Sequence, residues 1–196
     1  MSTPDAHVCC AWLGKWANSE DAIYRNYHDQ EWGVPCRDER ALFELLCLEG
    51  AQAGLSWITV LKKRENYREA FDSFDIARIA SYDESDFHRL MDNAGIIRNR
   101  AKIRATIGNA RAWLELRERE GSVPDFLWSF IDNAPFIRSP GCVSEIPART
   151  AESDAMSKAL LKSGFKFVGS TICYAFMQAS GMVNDHTTDC FRYPQA

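Results

Sequence analysis

Three observations predict an all-α fold for this 196-residue chain. Apolar residues recur at three- and four-residue intervals almost throughout. No run of period-two alternation is bounded by turn signals, and Asp, Ser and Gly stand where helices would start and stop. A content of 46% hydrophobic and 26% charged residues supports a real core and is unlike a disordered tail or a membrane protein.

Asp38 is expected to cap a helix through about Cys47, with Leu42, Leu45 and Leu46 on one side. A second helix follows Gly54 and carries Trp57, Val60 and Leu61. Asp75 and Asp83 read as caps of two short helices, the second burying Phe87, Leu90 and Met91 and stopping at Gly95. The longest helix runs from about Asn99 to Arg119, with Ile103, Ile107, Ala110 and Leu114 facing inward. A short aromatic helix over 125–131 precedes an irregular loop, 134–150, punctuated by Pro135, Pro140, Gly141 and Pro147. Ser153 is expected to cap a helix ending at Gly164, and 169–180 forms the last helix, closed by Gly181. Residues 1–8 read as a flexible N-terminus and 9–196 as a single domain.

Seven cysteines, two of them adjacent at Cys9 and Cys10, do not form a paired disulfide framework and fit a reducing cytoplasm. The N-terminus carries no signal-peptide pattern. The uncharged run from Phe167 to Asn184 is interrupted by Gly169, Ser170, Gln178, Ser180 and Gly181, so it reads as a buried helix and not a membrane span.

The net charge of -4 argues against a uniformly basic nucleic-acid coat, but it hides an asymmetry. Between Asn93 and Leu114 there is no acid, only Arg98, Arg100, Lys102, Arg104 and Arg111. Between Ala155 and Asn184 there are only Lys158, Lys162 and Lys166. These windows carry +8 and leave -12 for the rest, so one face can be positive toward a phosphate backbone. The denser window opens on a short turn, 93–98, in which Gly95 supplies a left-handed residue and Arg98 and Arg100 follow. A short turn between helices, the second starting with free backbone N–H groups, is an anion site; with flanking arginines it fits a DNA phosphate and describes a helix-hairpin-helix element.

Near the C-terminus His186 and Cys190 stand four apart, and near the N-terminus stand His28 and Cys10 or Cys9. Together they compose a Cys2His2 set, typical of a closed structural zinc, which would fasten the chain ends together. Trp12, Tyr24, Tyr27, Trp32 and Trp57 lie in sequence around the otherwise apolar stretch Leu48 to Trp57, whose single acid is Glu49, with no further charge before Lys62. Rings around a carboxylate suit a flat, cationic, nitrogen-rich ligand. Composition alone favours the plainer reading, aromatic core with Glu49 on a helix surface.

The wording of the sequence narrows this choice. Tyr27-His28-Asp29-Gln30-Glu31-Trp32-Gly33-Val34-Pro35, then Leu48-Glu49-Gly50 and the run from Gly54-Leu55-Ser56-Trp57 to Arg64, closely resemble the bacterial type I 3-methyladenine DNA glycosylases. Gly164-Phe165-Lys166-Phe167-Val168-Gly169 and Asn184-Asp185-His186 with Cys190 match the same family in the same order, so the resemblance spans roughly Cys10 to Cys190. It implies an all-α helix-hairpin-helix glycosylase fold, with that element at about 84–119, and one structural Zn2+ held by Cys10, His28, His186 and Cys190. The stretch from Cys10 to Tyr27 is longer than the family's, and Cys9 competes with Cys10 as ligand.

The resemblance also implies a monofunctional hydrolase of the N-glycosyl bond. It would flip 3-methyladenine out of alkylated double-stranded DNA, release the free base and leave an abasic site. The base pocket carries over to Trp12, Tyr27, Glu49 and Trp57, with Tyr24 nearby. Tyr27 and Trp57 are expected to sandwich the base while Glu49 accepts from its N6 edge. Gly54 and Leu55 are expected to enter the gap, with Gly95, Arg98, Arg100 and Lys102 at the phosphates. A monomer in the bacterial cytoplasm, without membrane contact, completes the expectation. A zinc hydrolase would need an open coordination position, and a plain DNA-binding module would not need the pocket around Glu49.

Overall fold

The computed structural model describes residues 8–19 and 22–194, and helices supply nearly all regular structure among them. Of the N-terminal stretch 1–8, only Val8 lies within the described residues, and its carbonyl accepts from the Phe191 amide at 2.9 Å. A 3-10 segment, Ala11–Asn18, leads to α1 (Ile23–Gln30), then α2 (Glu39–Gln52), α3 (Trp57–Leu61), α4 (Arg64–Ala70), α5 (Ile76–Ala80) and α6 (Glu84–Asp92). The long α7 (Arg100–Glu120) is followed by α8 (Val123–Trp128), α9 (Ala151–Lys162) and α10 (Ser170–Ala179).

Local chemistry starts these helices where the caps were expected. Asp38 accepts from Ala41 N at 2.8 Å and Asp75 from Arg78 N at 3.0 Å; Asn99, expected only as the approximate start of the long helix, caps it by accepting from Lys102 N at 3.1 Å. Asp83 and Asp86 form a reciprocal capping box. One cap differs from expectation. Thr150 caps α9, and Ser153 sits three residues inside it, where its Oγ accepts from Thr150 N at 2.8 Å. The 134–150 loop also contributes β1 (Phe136–Ile137), parallel to β2 (Val183–Asn184); two-residue strands are too short to alternate and leave no periodic signal.

The core gathers around α2 and α7. Leu42, Phe43, Leu46 and Leu48 of α2 are fully or almost fully buried, with Trp113 and Leu116 of α7 and Trp128 of α8. Trp113 Nε1 donates to Glu39 at 2.9 Å and Trp128 Nε1 to the Cys36 carbonyl at 3.0 Å, so both indoles are satisfied inside the core. On the C-terminal side α10 packs between α9 and α2. All seven cysteines are free, and no helix of the described residues is long and apolar enough to cross a membrane.

The turn between α6 and α7 departs from expectation in its glycine. Gly95 is not left-handed; its φ is not positive. What it provides is close approach: a Cβ there would stand 2.9 Å from Asn93 Oδ1 and 3.1 Å from the Asn66 side chain. Lys63 Nζ donates to the Ala94 and Gly95 carbonyls at 3.2 and 3.0 Å, and Ile97 N donates to Tyr67 Oη at 3.2 Å, docking the turn on α4.

Gly181, by contrast, has φ +67°, and a Cβ on it would fall on the backbone of Val34 and Pro35. Gly181→Ala is therefore expected to destabilise the protein by roughly 3 kcal/mol or more, combining a left-handed backbone with a clash that no side-chain motion relieves. A denaturant midpoint within error of the wild type would contradict it.

Candidate active site and metal centre

Helical register brings the expected pocket residues together. On α2 the buried stripe Leu42, Leu46 continues one turn later to Glu49, so the carboxyl points where the core side chains point. Glu49 is 3% exposed, which rules out the helix-surface alternative. After α2, Gly54 turns the chain with φ +77° and exposes Leu55, and Trp57 then opens α3 with its ring buried. From the other side, the 3-10 segment presents Trp12 and α1 presents Tyr24 and Tyr27.

These side chains line a cavity of about 280 Å³. Three of its lining residues carry a buried polar atom with no hydrogen-bond partner: Trp12 Nε1, Glu49 Oε2 and Trp57 Nε1. Folded proteins rarely leave such atoms unpaired, and three on one cavity mark a place built for a polar ligand. The rings form a continuous wall, with Trp12 5.3 Å from Tyr24 and 5.0 Å from Trp32.

Tyr27 and Trp57 do not form the sandwich that was expected. Their centroids are 5.3 Å apart and tilted by 51°, so the rings touch each other and make a corner, with no room for a base between them. Five further residues line the cavity that the sequence did not single out: Gln52 at the end of α2, Val143 and Ile146 from the proline-rich loop, and Ala175 and Gln178 on α10. Only the uncharged run around Gln178 hinted at them.

The metal set converges as composed. The ligand atoms of Cys10, His28, His186 and Cys190 lie within 4.8 Å of one another, and all four residues are buried. Cys10 Sγ is 3.4 Å from His186 Nδ1, and Cys190 Sγ is 3.5 Å from both His28 Nε2 and His186 Nδ1. The outward nitrogens are engaged: His28 Nδ1 meets Asp29 at 2.6 Å, and His186 Nε2 meets the Trp32 carbonyl at 3.1 Å. Acceptors at the outer nitrogens place the protons there and turn a lone pair inward, as metal-binding imidazoles require. Cys9 is only partly buried and groups with His28 and Asp29, so the convergent set uses Cys10.

The cationic residues of the hairpin region divide by role. Arg98 and Arg100 are exposed at the start of α7, Arg100 lying 5.0 Å over the Phe87 ring. Lys102, expected at phosphates, instead donates to the Ala51 and Ala53 carbonyls at 2.7 and 2.6 Å. The unpaired carbonyls ending α2 attract it, and burial lowers its pKa. Arg104 pairs with Glu84 and Arg111 donates to the Ala80 and Tyr82 carbonyls, so part of the +8 is spent within the fold.

Burial raises the pKa of Glu49 from 4.5 to about 8. Burial, then the neighbouring Glu49 charge, also raises those of Tyr24 and Tyr27. Between pH 4.5 and about 8 the folded chain keeps a Glu49 proton that the unfolded chain has lost, so the stability this proton provides is lost as pH rises through that window. Wild-type unfolding free energy is expected to fall by up to about 4 kcal/mol more than that of Glu49→Gln across it. Parallel pH profiles of the two proteins in urea would contradict this.

Comparison with known proteins places this geometry. The methyladenine glycosylase family matches residues 16–193. DNA-3-methyladenine glycosylase 1 of Escherichia coli is 56% identical over 185 residues, covering 94% of this chain and 96% of that protein. A crystal structure of a 3-methyladenine DNA glycosylase I superposes with TM-score 0.90 at 57% identity, covering 95% of this chain and all of that one. The Staphylococcus aureus enzyme, solved to explain 3-methyladenine recognition, gives TM-score 0.89 at 36% identity, over 95% and 99% of the two chains. By sequence and by fold, then, the chain belongs to the methyladenine glycosylases, enzymes that hydrolyse N-glycosyl bonds.

Proposed function

We propose that the protein excises 3-methyladenine from alkylated double-stranded DNA, releasing the free base and leaving an abasic site. The observation that carries the reading is the aromatic cavity holding a buried, unpartnered carboxyl group and two unpartnered indole N–H groups. Methylation at N3 makes the nucleobase cationic while it is attached to the sugar. A cation entering the cavity favours the carboxylate form of Glu49 over the neutral form that burial favours, so proton loss from Glu49 accompanies binding.

The base must leave the duplex stack to reach this cavity, and a damaged base does so at least cost. Exposed Leu55, on the turn beside the cavity, is suited to enter the space left behind. As the glycosidic bond breaks, its electron pair neutralises the departing base; water adds at the sugar carbon and loses a proton. The leaving group is already good, so the chain's contribution is extrusion, orientation and electrostatic pairing. Tyr27 and Trp57, meeting as a corner, offer walls for the base, while Glu49 accepts from its amino edge.

The remaining assignments follow the same reading. The α6–turn–α7 unit serves as the helix-hairpin-helix, with Gly95 shaping the turn and Arg98 and Arg100 at the phosphates; Lys102 acts indirectly by tying α7 to the Gly54–Leu55 turn. Residues 9–196 act as one glycosylase domain and as a monomer, since a duplex must reach one face. Seven free thiols and a DNA substrate suit the bacterial cytoplasm. Cys10, His28, His186 and Cys190 would hold one structural Zn2+. Four protein ligands close its coordination, and its role is to fasten the chain ends.

Incubation with methylated DNA is expected to release 3-methyladenine, identified chromatographically, and absence of release would overturn the reading. Glu49→Gln is expected to lower kcat/KM about 10- to 100-fold, the value of a buried hydrogen bond to a charged group; full activity would remove any role for its charge. Elemental analysis should find one zinc per chain. His186→Ala should lose the metal and melt at lower temperature, whereas a folded, metal-free variant deficient only in chemistry would favour a catalytic ion.

A further inference from the structure

Gln178 of α10 lines the same cavity as Glu49 of α2, and its carboxamide is held. Nε2 donates at 2.7 Å to Oδ2 of Asp185, a fully buried residue. The same oxygen accepts from Tyr174 Oη at 2.5 Å, and Arg138 Nε stands 3.4 Å from Oδ1. Tyr174 and Arg138 belong to a separate cleft of about 390 Å³, so Asp185 lies in the wall between the two cavities and gathers donors from both.

A carboxylate surrounded in this way only accepts, so it is the nitrogen of the Gln178 carboxamide that must face it. The other arm of the amide, Oε1, is thereby turned away from Asp185. We propose that Asp185 is a positioning residue that holds Gln178 with its side-chain oxygen toward the cavity. The site thus gains a second acceptor beside Glu49 and selects a base presenting an amino group over one presenting a carbonyl on that edge. The inference rests on the base-binding reading of the pocket. Its physical basis is asymmetric: an amino group finds a fixed acceptor, whereas a carbonyl meets an oxygen that cannot rotate to offer a donor without breaking the bond to Asp185.

The test compares binding of free 3-methyladenine and free 3-methylguanine, followed by tryptophan fluorescence, in wild type, Gln178→Met and Asp185→Asn. Gln178→Met keeps the volume and removes both polar atoms; it is expected to reduce the preference for 3-methyladenine roughly tenfold, by weakening that base alone. Asp185→Asn can donate to Gln178 Oε1 and turn the carboxamide over, so it should shift the preference the same way and tighten 3-methylguanine. Because Asp185 adjoins His186, melting temperature and zinc content are measured on each variant; if Asp185→Asn does not fold, Gln178→Met decides. Equal weakening of both bases, or an unchanged preference, would overturn the proposal. Base release by the wild type separates the two readings. Release with an unchanged preference defeats the Gln178–Asp185 inference alone, and no release defeats the pocket reading and this inference with it.

Discussion

The two ends of the chain meet at Cys10, His28, His186 and Cys190, and the aromatic half of the pocket hangs on that meeting. Trp12 sits on an eight-residue 3-10 segment, and Tyr24 and Tyr27 on an eight-residue helix, both too short to hold their shape alone. They are fixed from the other end of the sequence. Trp32 packs edge-on to Trp12 and to His186, Gly33 N donates to the Gln178 carbonyl, and Gly181 lies against the Val34–Pro35 backbone. One closure therefore orients ligand atoms and pocket walls together, since His28 and Tyr27 are neighbours on the same helix.

Against this fastened wall stands the more rigid one. The second half of α2 is buried on every side, which is what holds Glu49 in place without a protein partner. An unpaired buried carboxyl costs stability, and the surrounding core absorbs that cost because α2 packs against α3, α7, α8 and α10. Burial favours the neutral form of the group. The same α2 ends in carbonyls gripped by Lys102 of α7, which ties the turn carrying Leu55 to the start of α7. The cavity wall and the start of α7 are thereby tied together.

The charge arithmetic gains a physical division from this. Arg104 and Arg111 serve Glu84 and helix-end carbonyls, and Lys102 serves α2, leaving the exposed positive charge of that window concentrated at Arg98 and Arg100. An acidic protein with a small, well-placed basic site depends less on long-range attraction and more on local fit.

What the sequence by itself determined is what local interactions encode. The caps at Asp38, Asp75 and Asp83, the start of the long helix near Asn99 and the inward stripe of α7 depend on near neighbours and are legible without a structure. The Cys and His set was legible as a composition, and the words around Tyr27, Glu49 and Trp57 as a family resemblance. Tertiary structure alone decided whether Glu49 was surface or pocket, because the outcome depended on residues more than a hundred positions away, among them Ala175 and Gln178. It decided between Cys9 and Cys10, which differ only in which of two adjacent thiols faces inward. It also turned Lys102 from a phosphate contact into a helix-end clamp, and the Tyr27–Trp57 sandwich into a corner. In each case the deciding quantity was a distance between segments that periodicity and propensity do not contain.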